Sequence, residues 1–327
     1  MRGYTVPEGD ARAERRRPKC AGVEALEYVV CPNCQSDDAS LHRVAHDRLF
    51  SRPGEYKTVR CKPCGLIYTN PRPTFESLAR HYPDEYFCYT PPESLSGLRK
   101  FFLRQTQREV TDQRLRAIER VTGRLRPGTR ICDVGCAYGE LLSAFKKRRG
   151  CDVIGVDINA TAIERCARSG IAAKLGTLED ATLDAESCDL VTMTEYLEHE
   201  PNPKRVLEEC RRISKSRAFL AVEVPLCSGF VARVFGNYWS QLDLPRHLIF
   251  FTPSTLENML RSVGYELVSL ETKGGTIGLS LLNALGYEGI GELRPRDIVL
   301  MTLANLPFAP FAALLPEFMF VVARRID

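Results

Sequence analysis

Three groups of residues in this chain have the types and spacing to do chemistry. The first is Arg130-Ile-Cys-Asp-Val-Gly-Cys-Ala-Tyr-Gly-Glu-Leu-Leu142. Ile131 to Val134 are apolar and β-prone, and Glu140, Leu141, Leu142 and Phe145 follow at helical spacing, so a strand should turn into a helix across Gly135 to Gly139. Glycines let backbone approach a ligand closely, and a helix start offers free N–H groups and the positive end of its dipole. Asp133 sets a carboxylate beside that turn, which suits a positively charged ligand better than a pyrophosphate. Asp157 ends the next strand, about where α/β sites place the acid that holds a ribose hydroxyl pair. The second group is Cys31-Pro-Asn-Cys34 and Cys61-Lys-Pro-Cys64-Gly65. Two such pairs aim four thiolates at one ion, the donor set of a tetrahedral structural zinc. The third is His199 and His247, whose neutral imidazoles can take a proton from a reacting group.

The elements that must position these groups alternate. Strand 130–134 leads to a helix closed by Gly150. Strand 153–156 leads to a helix over 160–168, capped by Asn159 and closed by Gly170, and strand 171–175 follows. Further strands are expected at 189–193, 218–224, 265–271 and 317–324. Asn202 should cap and Pro203 open the helix before the fifth strand, and Thr74 should cap a short helix. Between about Gln105 and Arg124, Leu115, Ile118, Val121 and Leu125 recur at helical spacing, giving an arginine-rich amphipathic helix. Such alternation makes a parallel sheet covered on both faces, with ligands at the carboxyl ends of its strands.

Asp133-Val-Gly-Cys-Ala-Tyr-Gly139 resembles the first motif of the class I S-adenosylmethionine-dependent methyltransferases, D-x-G-x-G-x-G, with Ala137 replacing the middle glycine. Glu198-His199 after the fourth strand and Trp239 to Leu256 after the fifth resemble later stretches of that family. Cys64-Gly-Leu with Pro71-Arg-Pro73 resembles the lead-in of its zinc-ribbon subset, where tyrosines such as Tyr82 and Tyr86 lie over the cofactor. The resemblance implies a Rossmann-like α/β fold: a seven-stranded sheet, mostly parallel with the last strand antiparallel, plus a small N-terminal zinc ribbon. It implies that S-adenosylmethionine is held by Asp133, Gly135, Cys136, Gly139 and Thr194 at the turn and methionine end. Asp157 and Ile158 would meet the ribose, and Thr177, Leu178 and Glu179 the adenine. His199 and His247 become the candidate bases, beside an orienting role for His199 and a buried, hydrogen-bonded place inside the loop for His247, and Cys31, Cys34, Cys61 and Cys64 become the zinc ligands. The acceptor class it implies is a small molecule such as a nucleotide-linked sugar. Three alternatives stand beside this reading: an RNA or protein acceptor bound through the ribbon and basic tail, an NAD(P)-binding oxidoreductase, and an inactive zinc-dependent adaptor.

The 327 residues, 44% hydrophobic and 26% charged with net charge +4, provide for one large domain and a smaller one. The expected division is a basic disordered tail over 1–25, a ribbon over 26–73, a connecting helix and linker over 74–104, and the main domain over 105–327. Within the last, 273–316 reads as an insertion. Its stretch 298–316 is uncharged and holds three prolines, which favours a lid or a homodimer surface over a membrane contact. Nucleic acid ranks lower as a partner. Many of the thirteen cysteines fall in expected core positions, which fits reduced thiols in a cytoplasmic protein, and no apolar leader opens the chain.

Overall fold

In the computed structural model, which describes residues 24–82, 97–275, 277–292 and 294–327, the apolar strands form one large sheet. The basic tail to residue 23, Tyr86 and most of the linker lie outside the described residues. In chain order the elements are β1 (Leu26–Glu27), β2 (Ala39–Ala45), β3 (Tyr56–Cys61), β4 (Ile67–Thr69), β5 (Arg72–Pro73), α1 (Phe75–Leu78) and α2 (Gly97–Thr122). Then come β6 (Arg130–Val134), α3 (Glu140–Arg149), β7 (Asp152–Asp157), α4 (Ala160–Arg168), β8 (Ala172–Leu175), β9 (Cys188–Thr194), α5 (Pro203–Ile213) and β10 (Ser214–Pro225). The chain finishes with α6 (Phe230–Phe235), β11 (Ile249–Phe250), α7 (Pro253–Ser262), β12 (Tyr265–Gly274), α8 (Ile277–Ala284), α9 (Pro295–Asn305) and β13 (Pro316–Arg325).

The seven-stranded sheet has the order β12-β13-β10-β9-β6-β7-β8. The pairs among β10, β9, β6, β7 and β8 are parallel, and β13 runs antiparallel to both β10 and β12. Ile131, Cys132, Val191, Leu220 and Val222 are fully buried, as strands covered on both faces require. The chain leaves β6 for β7 and β8 on one side, then returns to the other side with β9. The switch point, where ligands of open α/β sheets bind, is therefore at the carboxyl ends of β6 and β9, beside Asp133 and Thr194.

Helix starts follow their expected chemistry with one exception. The side chains of Asn159, Thr252 and Thr74 accept from the backbone N–H groups of Ala162, Thr255 and Ser77. Asn202 stands at the start of α5 but its side chain makes no capping bond. Its backbone, at φ −127° and ψ 64°, is away from the extended conformation that aims a capping side chain. Helix α2 also begins at Gly97 rather than near residue 105.

The four cysteines sit at the ends of a second sheet, of order β11-β4-β3-β2. Its fourth strand comes from far along the chain: Ile249 pairs with Tyr68 and Phe250 with Ile67, antiparallel. Leu66, Tyr68, Leu248 and Phe251 share one core with the large sheet. The N-terminal segment is thus stitched to the loop that carries His247. The insertion continues β12 to Gly274, then forms α8, α9 and a 3-10 stretch over Leu306–Leu314. No described helix is long and apolar enough to cross a membrane.

Candidate active site

The turn after β6 alternates through left-handed backbone, with Gly135 at φ 72°, Ala137 at 43° and Gly139 at 74°. A Cβ on Gly135 would fall 2.5 Å from the Tyr196 ring, and one on Gly139 would fall 3.0 Å from Cys166 Sγ. Space as well as φ therefore demands glycine at both. Ala137 adopts the same hand at a cost of about 1–2 kcal/mol. What holds it there is Asp157, whose Oδ2 accepts from Ala137 N and Oδ1 from Asn159 N, both at 2.8 Å. Each oxygen keeps a second lone pair, so Asp157 can brace the turn and still accept from a ligand. No side chain caps α3, and its first N–H groups face the turn. Cys136 contributes only backbone: its thiol is buried, in the space that a Cβ on Gly155 would fill.

Asp133 is 3% exposed and accepts from Thr192 Oγ1 at 2.6 Å. Burial pushes its carboxyl up to about 7, so near neutrality it is poised to ionise against a cation. Thr194 ends β9. Beyond it Glu195 takes φ 55° and pairs with Arg114 of α2 at 2.7 Å. Arg114 also pairs with Glu223 at 3.0 Å, and Lys273 meets the same carboxylate at 3.0 Å. This cluster pins α2 across the ends of β9 and β10. Neither it nor Tyr196 was legible in the sequence, because one arginine among many in α2 carries no spacing signal.

On the far side of the turn, Ile158 is 60% exposed at the end of β7. Leu178 is fully buried. Thr177 Oγ1 donates to Asp180 at 2.7 Å, and Glu179 pairs with Arg205 at 3.1 Å. The side chains of Thr177 and Glu179 are engaged within the protein, and so are the backbone N–H groups of Thr177 and Asp180, which donate to Asp180 Oδ2 and Thr177 Oγ1.

The two histidines expected near an acceptor meet. Their rings are edge to face with centroids 4.6 Å apart. His199 Nδ1 lies 3.1 Å from the Arg246 carbonyl and 2.9 Å from the Tyr82 hydroxyl, and His247 Nδ1 lies 2.8 Å from the Gln241 carbonyl. Burial drives both pKa values down, His199 to about 3, so both rings are neutral. The loop that carries His247 is clamped from two sides. Leu248 N donates to Glu198 O and Thr69 N to Leu248 O, each at 2.8 Å, and Thr69 Oγ1 donates to His247 O at 3.1 Å. The fully buried Arg246 guanidinium binds Asp47 from the β2–β3 connection and Asp243 from its own loop. A small open cleft lies on the far side of Asp243, lined by His46, Arg48, Trp239 and Asp243, with Asn283 and Ile290 of the insertion as one wall; neither histidine lines it.

The four expected metal ligands also converge. Cys31 Sγ lies 3.5 Å from Cys64 Sγ, Cys34 Sγ lies 3.5 Å from Cys61 Sγ, and all four sulfurs fall within 4.8 Å of one another.

Known proteins share this architecture. Residues 102–270 match a family described as a methyltransferase domain. A ubiquinone biosynthesis O-methyltransferase of Hahella chejuensis is 30% identical over 209 residues, which cover 60% of this chain and 80% of that protein. The protein of the same name from Xanthomonas axonopodis pv. citri is 33% identical over 165 residues, 46% of this chain and 68% of its own. Among solved structures, phosphoethanolamine N-methyltransferase 2 of Haemonchus contortus, in complex with S-adenosyl-L-methionine, superposes with a TM-score of 0.50 at 17% identity. It covers 80% of this chain and 63% of its own, a likeness of fold alone. With the glycine turn, its bracing acids and the strand order already in place, the family match over half the chain and these relatives show that the protein belongs to the class I S-adenosylmethionine-dependent methyltransferases.

Proposed function

We propose that the chain transfers a methyl group to a hydroxyl of a small molecule, with His199 and His247 accepting the proton and the four cysteines holding a structural zinc. The observation that carries the proposal is the pair of neutral imidazoles, His247 buried and His199 half-buried, in contact beside the clamped loop. S-adenosylmethionine, when bound, supplies a methyl group already activated by its sulfonium. The residues of the chain have the remaining tasks. The turn from Gly135 to Gly139 gives close backbone approach, Asp133 offers a buried carboxylate to the cationic methionine end, and Asp157 offers its free lone pairs to the ribose. Tyr82 packs against the half-buried His199, and the buried His247 is the better shielded of the two proton acceptors. The bacterial relatives named as O-methyltransferases support an oxygen acceptor, and the resemblance of the N-terminal segment supports nucleotide-linked sugars as the first compounds to test. The insertion, as a wall of the cleft, would act as its lid.

Sulfurs around zinc, bonded at ~2.3 Å, stand ~3.8 Å apart in a tetrahedron, close to the separations in this cluster. The donor set fits that ion.

Calorimetry with S-adenosylhomocysteine, with NAD and NADP as controls, tests the cofactor. Binding of a dinucleotide in its place would overturn the proposal. His247→Ala should lower kcat about 10²–10⁴-fold with S-adenosylhomocysteine binding intact; unchanged turnover would remove the histidine from the mechanism.

Asp133 adds a pH dependence. Its pKa of about 7 is raised above the ordinary carboxylate value, so at pH 6 most of the free protein carries it protonated, and a cationic ligand must first displace that proton. S-adenosylhomocysteine, through its ammonium group, should therefore bind about tenfold more weakly at pH 6 than at pH 8. Asp133→Asn should flatten the profile. A flat profile in the unaltered protein would show that Asp133 does not face the ligand's charge.

A further inference from the structure

A second small cleft opens where the four-stranded sheet meets α6 and the loop after it. His42, Arg43, Thr58, Cys227, Trp239 and Phe250 help to line it, and among the described residues no carboxylate does. A bulge in β2 builds it. Leu41 stands opposite Val59 and Arg43 opposite Thr58, so His42 is an extra residue in the ladder. Side chains alternate between faces along a strand, and a regular ladder would set His42 opposite Thr58 and turn Arg43 to the other face. The bulge instead brings Arg43 onto the face of Thr58. Arg60, two residues along β3, belongs to that face as well.

Nothing balances the positive charge gathered there. Arg48, Arg72, Arg114 and Arg246 each meet a carboxylate, whereas Arg43 and Arg60 meet none among the described residues. Arg43 Nε donates to His42 Nε2 at 3.4 Å, and its Nη1 occupies space that a Cβ on Gly236 would enter. Burial, helped by the charges of Arg43 and Arg60, pushes His42 down to about 4, and burial raises the Cys227 thiol against the pull of the same two charges. The ring is therefore neutral and the thiol protonated near pH 7, and neither supplies a counter-charge. Thr58 is fully buried, and its hydroxyl has no hydrogen-bond partner. A polar group buried in that way is costly unless something pairs with it.

We propose that this cleft binds a phosphoryl group, held between the Arg43 and Arg60 guanidinium groups with the Thr58 hydroxyl as a further donor. Guanidinium forks match the oxygens of phosphates and carboxylates alike. Two uncompensated cations favour a dianion, so a phosphate ester or diphosphate suits the site better than a single carboxylate. The cleft shares Trp239 and Leu242 with the one beside the insertion, and Phe250 on its wall belongs to β11, directly after the His247 loop. A phosphoryl group seated here would anchor one end of the acceptor; this use, unlike the site itself, rests on the small-molecule reading above.

The test titrates pyrophosphate, and separately uridine diphosphate, into the full chain with its zinc content assayed and its S-adenosylhomocysteine binding measured first. Calorimetry should show one bound equivalent, with affinity at least about tenfold weaker in Arg43→Gln and in Arg60→Gln and weakened also in Thr58→Val. Zinc content and circular dichroism should stay unchanged. Arg124→Gln, which alters an exposed arginine just beyond α2, should bind as the unaltered protein does; an equal loss there would reduce the effect to net charge and overturn the site. Failure of both probes to bind the folded protein would overturn it too, as would undiminished affinity in Arg43→Gln. Tighter binding of uridine diphosphate than of pyrophosphate would uphold the site and place the phosphoryl group on a larger ligand, whereas equal affinities would uphold it as a site for the free anion. Binding of either probe without S-adenosylhomocysteine binding would uphold the site and sink the methyl-transfer reading instead.

Discussion

Arg246→Leu is expected to lower the unfolding free energy by about 3–5 kcal/mol, read as a fall in the urea midpoint. The guanidinium is fully buried and reaches Asp47 through two bonds, at 2.7 and 3.0 Å, and Asp243 at 2.6 Å. It also lies over the Phe50 ring, 5.0 Å from its centroid. Removing it leaves two buried carboxylates side by side with no cation between them. Burial alone would push Asp243 up, but the charge of Arg246 holds it below the usual carboxylate range. In the intact protein this contribution is present at neutral pH and is lost as pH falls through the lowered pKa. In the variant the orphaned, buried Asp243 carboxylate instead takes up a proton. The stability gap between the two proteins should therefore narrow as pH falls toward 4. Adding Asp47→Leu and Asp243→Leu to Arg246→Leu should recover part of the loss, because an apolar set of similar volume leaves no buried charge. A loss under about 1 kcal/mol in Arg246→Leu would show that the cluster is hydrated and not a clamp.

The features legible in the sequence were those encoded locally. Ile131 to Val134 and Asp189 to Met193 read as strands because their apolar runs are continuous, and Asn159 read as a cap because the helix it starts follows at once. Gly135 and Gly139 announced the turn. The sequence also named both histidines and all four cysteines, since each belongs to a short motif. Long-range pairing left no such trace. β11 is two residues long, and nothing in Ile249-Phe250 points to Tyr68 and Ile67, although that pairing makes the second sheet continuous with the loop that carries His247. Asp47 and Arg246 are each ordinary charged residues until the fold buries them against each other. Asn202 misled because a capping residue type at a helix start says nothing of its backbone angles. Glu198 stood in view inside a named motif, yet only the structure reveals that its carboxylate is buried without a partner.

Cys61→Ser is expected to have the wider effect of the two. Proteins that use a structural zinc commonly gain about 10–16 kcal/mol of apparent binding free energy from it, more than most domains have in total stability. Cys61 ends β3, and its N–H donates to the Leu66 carbonyl at 2.9 Å, so it closes the turn that sends the chain into β4. β4 in turn pairs with β11, directly after His247, and Thr69 holds the backbone of the same loop. Loss of the ion should therefore loosen β2 to β4 first and the loop that carries His247 next. The glycine turn between β6 and α3 belongs to the other sheet and should be spared. Zinc content by atomic absorption should fall from about one per chain to background, the melting temperature should drop, and methyl transfer should fail while S-adenosylhomocysteine still binds. Chelation of the unaltered protein should reproduce this order of losses. Full zinc content with an unchanged melting temperature in Cys61→Ser would remove that cysteine from the metal site. Loss of S-adenosylhomocysteine binding before any change in the His247 loop would break the proposed route from β4 to His247.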